Sequence, residues 1–140
     1  DTIVGTVRPA NGSYAFIQQE NLTGSTGFAV LSPKKDIYSE FIYIASTDDE
    51  NIKRLAHLAD GGAYPAVSYE MVQNTPCILP IEADVKDSIL NLFHKKVKWF
   101  YCLSANNFEE NKTLVNTRDT LLPKLLSGEL DVSGLQGEGA

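Results

Sequence analysis

The chain has 140 residues, 43% of them hydrophobic and 9% aromatic, with 12 basic against 18 acidic side chains and a net charge of −6. That length and composition fit one ordinary domain with a real core, which excludes disorder for most of it. The acidic balance argues against a generic polyanion binder, because nucleic-acid domains usually carry a basic surface. The charge is uneven: residues 1–84 carry five basic side chains against eleven acidic ones, and residues 85–140 carry seven of each. Contact with DNA would therefore need basic residues gathered on one face, or positive charge supplied by a partner.

No apolar run approaches the roughly 18 residues needed to span a bilayer. Cys77 and Cys102 stand far apart without any Cys-x-x-Cys or Cys/His spacing. No metal site is expected from them, and both are read as buried free thiols of a cytosolic, cytoplasmic protein. The chain opens on Asp1 and goes straight into an apolar, strand-like run, which we read as a piece of a longer protein.

In chain order, residues 3–7, 14–18 and 26–31 read as strands of a small antiparallel element, divided by the turn-forming Pro9-Ala10-Asn11-Gly12 and Thr23-Gly24-Ser25. Residues 38–45, apolar with Tyr38, Phe41 and Tyr43, fit a helix or a strand, and a helix is favoured. Thr47 followed by Glu50 has the form of a capping box for a helix that places Ile52, Leu55, Leu58 and Ala59 on one face and stops at Asp60-Gly61-Gly62. Residues 61–68 read as a loop, and residues 77–80, Cys-Ile-Leu-Pro, as a short buried strand closed by proline.

From about Ala83 the pattern changes. Leu90, Phe93, Val97, Phe100, Ser104, Asn107, Asn111, Leu114, Arg118, Leu121 and Leu125 recur at alternating spacings of three and four, a heptad seam held over some five repeats. No Gly or Pro interrupts residues 81–122, so a helix of about 40 residues, on the order of 60 Å long, is predicted. Pro123 is expected to end or kink it, with a last turn stopping at Gly128. The centre of the seam is polar. Unpaired burial of Ser104, Asn107 and Asn111 would cost about 1–3 kcal/mol each, so they meet polar groups on a partner or stay in water. Fraying into two shorter helices at residues 105–112 is the rival reading.

Four stretches in this order, "STGFAVLSP" (25–33), "GGAYPAVS" (61–68), "CILP" (77–80) and the closing "NTRDTLLPKLLSGEL" (116–130), resemble the specificity subunit of type I restriction-modification systems. The resemblance covers nearly the whole chain and is most specific at its end. It matches the C-terminal half of a target recognition domain plus the long helical region after it. It implies an α+β fold: a small, β-rich partial recognition domain at residues 1–82, one long coiled-coil-forming helix at 83–130, and a flexible tail at 131–140.

The resemblance further implies a non-catalytic, sequence-specific DNA reader that directs methyltransferase and endonuclease subunits to a target. It would hold no cofactor, since S-adenosylmethionine is bound by the methyltransferase. Its partners would be double-stranded DNA, those two subunits, and another helix of its kind in an antiparallel coiled coil, a second copy of this chain being one candidate. The alternative is a coiled-coil protein-interaction module without DNA binding.

Direct readout needs side chains that hydrogen-bond base edges, whereas phosphate contacts use Arg, Lys, hydroxyls or backbone N–H groups. On that chemistry the candidate DNA-binding residues are Arg8, Ser13, Tyr14, Thr26, Lys34, Gly61, Gly62, Tyr64 and Ser68. The loop around Gly61, Gly62, Tyr64 and Ser68 leads, because two glycines let a backbone approach a groove closely. Surface ion pairing is the plain alternative for Arg8, and ordinary turn chemistry for Ser13, Tyr14 and Thr26. Leu114, Arg118, Leu121, Leu122 and Leu125 form the candidate partner interface, an apolar stripe whose plain alternative is packing back on the β element. His57 and His94 lack a neighbouring Ser, Cys or Asp motif, so no catalytic residue is expected.

Overall fold

The computed structural model describes residues 1–59 and 64–130. Three short strands, β1 (Thr2–Gly5), β2 (Tyr14–Phe16) and β3 (Phe28–Leu31), form an antiparallel sheet in the order β2-β1-β3. The chain continues through α1 (Ser39–Thr47), α2 (Asp49–Leu58), α3 (Tyr69–Gln73) and α4 (Ala83–Leu126). The fold is α+β, as expected. It divides into a unit comprising Asp1–Trp99 and a second that begins at Phe100.

In the first unit β1 is central, and its period-2 pattern sets the packing. Thr2 and Val4 are buried while Ile3 between them is half-buried. Val4 pairs with Tyr14 on one side and Ala29 on the other. Val4 and Ala29 join Leu55 and Ala59 of the α2 region, Val67, and Val72 of α3 in one core, against which Leu31 packs. Leu55 is fully buried, worth about 1.5–3 kcal/mol relative to exposure. At Gly5 the chains come too close for a side chain: an added Cβ would lie 3.0 Å from both Cβ and O of Ser13. The same approach lets the Gly5 N–H donate to Ser13 O at 2.6 Å.

Several local expectations need correction. The cap of α2 is Asp48, whose carboxylate accepts from the Glu50 N–H at 3.0 Å. Thr47 instead closes α1, its hydroxyl donating to Tyr43 O at 2.7 Å, so it has no oxygen directed at the next helix. Leu58 lies off the buried face of α2 and is exposed. Residues 77–80 form no strand and are not buried: Pro76 and Pro80 lack the N–H groups that a sheet ladder would need, and Ile78 is 100% exposed. Cys77 and Cys102 are both exposed free thiols. The short helix α3, five residues long, lies between the predicted loop at 61–68 and the predicted strand at 77–80, in a stretch for which no element is predicted.

The long helix is continuous over 44 residues, without a break at 105–112. Pro123 lies inside it without ending it. It costs the helix one backbone donor, but the ladder resumes when Ser127 N–H donates to Pro123 O at 2.9 Å. Gly128, at φ 73°, stands just past the helix end in the left-handed conformation that favours glycine. No helix among the described residues is long and apolar enough to cross a membrane.

Candidate nucleic-acid interface and helix surfaces

After β1 the chain stays extended long enough to stitch a second loop to the sheet. Val67 N–H donates to Thr6 O at 2.9 Å and Arg8 N–H to Pro65 O at 2.8 Å, the two bonds of an isolated bridge between Val7 and Ala66. This bridge carries Tyr64 to the end of the sheet where the β1–β2 turn and the start of β3 also lie. The result is an open cavity of about 460 Å³. Ser13, Ser25, Thr26 and Tyr64 line it with four hydroxyls, and Gly5 and Gly27 with bare backbone. Among the described residues no charged side chain lines it, and its mouth is accessible: Tyr64 is 66% exposed.

Arg8 follows Val7, another lining residue, and is itself exposed. Its backbone is left-handed, φ 48°, an uncommon and costly conformation for a side-chain-bearing residue, held here by the Pro65 bond and by Asn11 N–H, which donates to Arg8 O at 2.9 Å. Among the described residues its guanidinium makes no ion pair.

The structure thus brings Ser13, Thr26 and Tyr64 into one cavity next to Arg8, and separates the other candidates from it. Tyr14 packs edge-on against Tyr43, ring centroids 6.3 Å apart. Lys34 lines a different hollow, with Tyr38, Tyr69 and Cys77. Ser68 caps α3, accepting from the Met71 N–H at 3.4 Å. Gly61 and Gly62 lie outside the described residues. Gly5 and Gly27 were missed, although a glycine on either side of a strand run is a legible signal of close backbone approach.

A second polar cluster fastens the start of α4 within the first unit. Asp87 accepts from Lys35 and from the Tyr38 hydroxyl. Lys35, and then Tyr38, hold the Asp87 carboxyl below the usual carboxylate range, and Asp87 in turn raises the Tyr38 phenol. Lys98 donates to Asp36 at 3.2 Å and lowers that carboxyl as well. Between these pairs, buried His94 places Nδ1 2.6 Å from Oε2 of Glu40, itself 2% exposed, and Nε2 3.6 Å from Asp36. Sequence reading left His94 without a role, because its partner is 54 positions away. Ringed by carboxylates and with no nucleophile among these contacts, it is a structural histidine. Among the described residues no group of three His, Cys, Asp or Glu side chains could hold a metal ion.

In the second unit Leu114, Leu121, Leu122 and Leu125 are exposed, and Arg118 is engaged by its neighbour Asp119 at 2.7 Å. Leu114, Arg118, Leu121 and Leu125 fall at helical spacings of four, three and four, along one side of α4.

The described residues thus leave open a hydroxyl-lined cavity at the loop ends of a small sheet and an exposed apolar stripe on a long helix. The chain is 33% identical over 101 residues to a protein of Haemophilus influenzae, the type I restriction enzyme HindI specificity subunit. The match covers 71% of this chain and 21% of that protein, so the chain spans about a fifth of the length of the curated relative it matches. No protein-family model matches the chain, and no solved structure matches it significantly.

Proposed function

We propose that the chain is part of a type I restriction-modification specificity subunit: a non-catalytic, cytoplasmic DNA reader whose residues 1–82 belong to a target recognition domain and whose residues 83–130 form the assembly helix. The reading rests on the similarity to the HindI subunit. The observation that gives it a site is the convergence of Ser13, Thr26 and Tyr64 in one cavity, with Arg8 following the lining residue Val7 and making no ion pair among the described residues. Neutral hydroxyls suit phosphate and sugar contacts, which fix register on a duplex, while a guanidinium suits bidentate readout of guanine O6 and N7. The stripe at Leu114, Leu121, Leu122 and Leu125 docks another helix or a methyltransferase subunit, and S-adenosylmethionine is bound by that subunit.

Helix pairing with a second copy of this chain has its own support in the seam. With two copies antiparallel and paired about the middle of the seam, the polar stretch from Ser104 to Asn111 of one helix runs alongside the same stretch of the other. A polar layer of this kind fixes register at some cost in stability.

Selection from randomised duplexes, with the cognate methyltransferase subunit present, tests the proposal. Enrichment of one short motif, or of two copies at a fixed spacing, is expected. Co-purification of the two proteins without any enrichment would sink the DNA-reading part and leave a helix that only assembles.

A further inference from the structure

Arg8 holds a conformation that its sequence context resists. Its backbone is left-handed, φ 48° and ψ 59°, where a Cβ crowds the following carbonyl oxygen. The ring of Pro9 drives the residue before it towards extended backbone instead. Contacts on both sides hold Arg8 in place. Before it, the bridge between Val7 and Ala66 ends in the bond from Arg8 N–H to Pro65 O at 2.8 Å. After it, buried Pro9 opens a single helical turn, Pro9–Asn11, that packs against α2. Within that turn Asn11 N–H donates to Arg8 O at 2.9 Å, and Gly12 N–H closes it on Pro9 O at 3.0 Å.

A glycine would take this conformation freely. A long side chain stands there instead, exposed and without an ion pair among the described residues, so no such contact offsets the strain. Strain of this kind persists where the surrounding structure over-determines it, and it gathers at functional sites. What the restraint fixes is the direction in which the side chain leaves the backbone, one residue after Val7 of the hydroxyl-lined cavity. A bidentate contact to a base edge needs the guanidinium in one orientation, whereas general attraction to phosphates does not. We propose that Pro9 is a positioning residue for base readout: its buried ring, together with the bond to Pro65, aims Arg8 at the base edge. Resting on the proposed function, in which Arg8 reads guanine, Pro9 acts only through Arg8, since it is itself buried.

Pro9→Gly in the full chain tests this, with the cognate methyltransferase subunit present and fluorescence anisotropy read on the duplex enriched by selection and on a scrambled one. Affinity for the enriched duplex is expected to fall about tenfold, the scale of one bidentate base contact, while affinity for the scrambled duplex holds. In an Arg8→Ala background the same substitution is expected to change neither affinity, an outcome that a merely structural role for Pro9 would not give. Arg8→Gly removes the strain without touching Pro9, and is expected to abolish selectivity while the melting temperature stays level or rises. If Arg8→Gly lowers the melting temperature, the side chain serves the fold and the inference is overturned. If Pro9→Gly keeps the parent's selectivity, or weakens both duplexes alike, the inference is overturned while the proposed function stands. If the parent chain binds all duplexes alike, the DNA-reading part of the proposed function falls and the inference falls with it.

Discussion

The two ends of α4 carry the same heptad pattern and meet different fates. In the first unit Leu90 is buried to 3% exposure and His94 is sealed against Glu40, whereas in the second unit Leu114, Leu121 and Leu125 stand in water. A seam therefore states that one side of a helix wants covering, and it is silent on what covers it. Where an intramolecular cover exists, the seam contributes to folding. Where none exists, the same residues are held ready for association.

The sharpest way to break this comparison is at the anchored end. Removing the hydrogen-bond partner of a buried polar group leaves it desolvated and unsatisfied, at a typical cost of about 1–3 kcal/mol, more where the group is charged. His94→Ala strands Glu40 and is expected to lower stability by about 3 kcal/mol in denaturant melts. Leu90→Ala should cost about 2–3 kcal/mol through the cavity it leaves. Stability unchanged in both would mean that the start of α4 is not fastened to the first unit as the structure has it.

At the bare end the signs separate. Leu121 is 42% exposed and lies outside the core cluster of the described residues, so stability should move by no more than about 0.5 kcal/mol on Leu121→Ala. Association with a second copy or with the methyltransferase subunit should weaken by about tenfold or more, read by analytical ultracentrifugation or titration calorimetry. A large loss of stability with association intact would show that the stripe is core after all.

Arg8→Ala sharpens the comparison from the sheet side, since Arg8 takes no part in the polar contacts that fasten the start of α4. Loss of a bidentate base contact costs about 1–3 kcal/mol on the preferred duplex and relaxes selectivity at one position, whereas loss of a phosphate contact weakens all sequences alike. The first pattern is expected. Thr26→Val, at a neutral donor, should show the second, at the small end of that range, in parallel fluorescence-anisotropy titrations of matched and scrambled duplexes.

Periodicity made the strands near residues 3, 14 and 28, the helix after Tyr38 and the long helix legible, because each rests on patterns within one segment. What stayed hidden needs contacts between distant segments. His94 with Glu40, Asp87 with Lys35, and the bridge from Val7 to Ala66 that brings Tyr64 to Ser13 and Thr26 have no local signature. The error at residues 77–80 has the same root. Four apolar residues in a row resemble a buried strand, but burial requires a neighbouring strand, and the flanking prolines deny one. Among the site candidates, Ser13, Thr26 and Tyr64 were legible as residues near turns, while their convergence was not.

The smallest expected effect concerns pH. Asp87 and Asp36 have carboxyls lowered in the folded chain, chiefly by Lys35 and Lys98, so each contributes stability that is fully present above the unfolded carboxylate value near 4 and is lost as pH falls through the lower folded value. Both pairs are solvent-accessible, so the loss is modest and screened by salt. Denaturant midpoints should hold between pH 7 and 5 and decline below about 4, where the unfolded chain takes up protons that the folded carboxyls still resist. Asp87→Asn should remove part of that decline by lowering stability at neutral pH toward the acid value. If Asp87→Asn leaves the neutral-pH midpoint and the acid limb unchanged, Asp87 does not help to fasten the start of α4, and the hold there belongs to Leu90 and to the buried pair of His94 with Glu40.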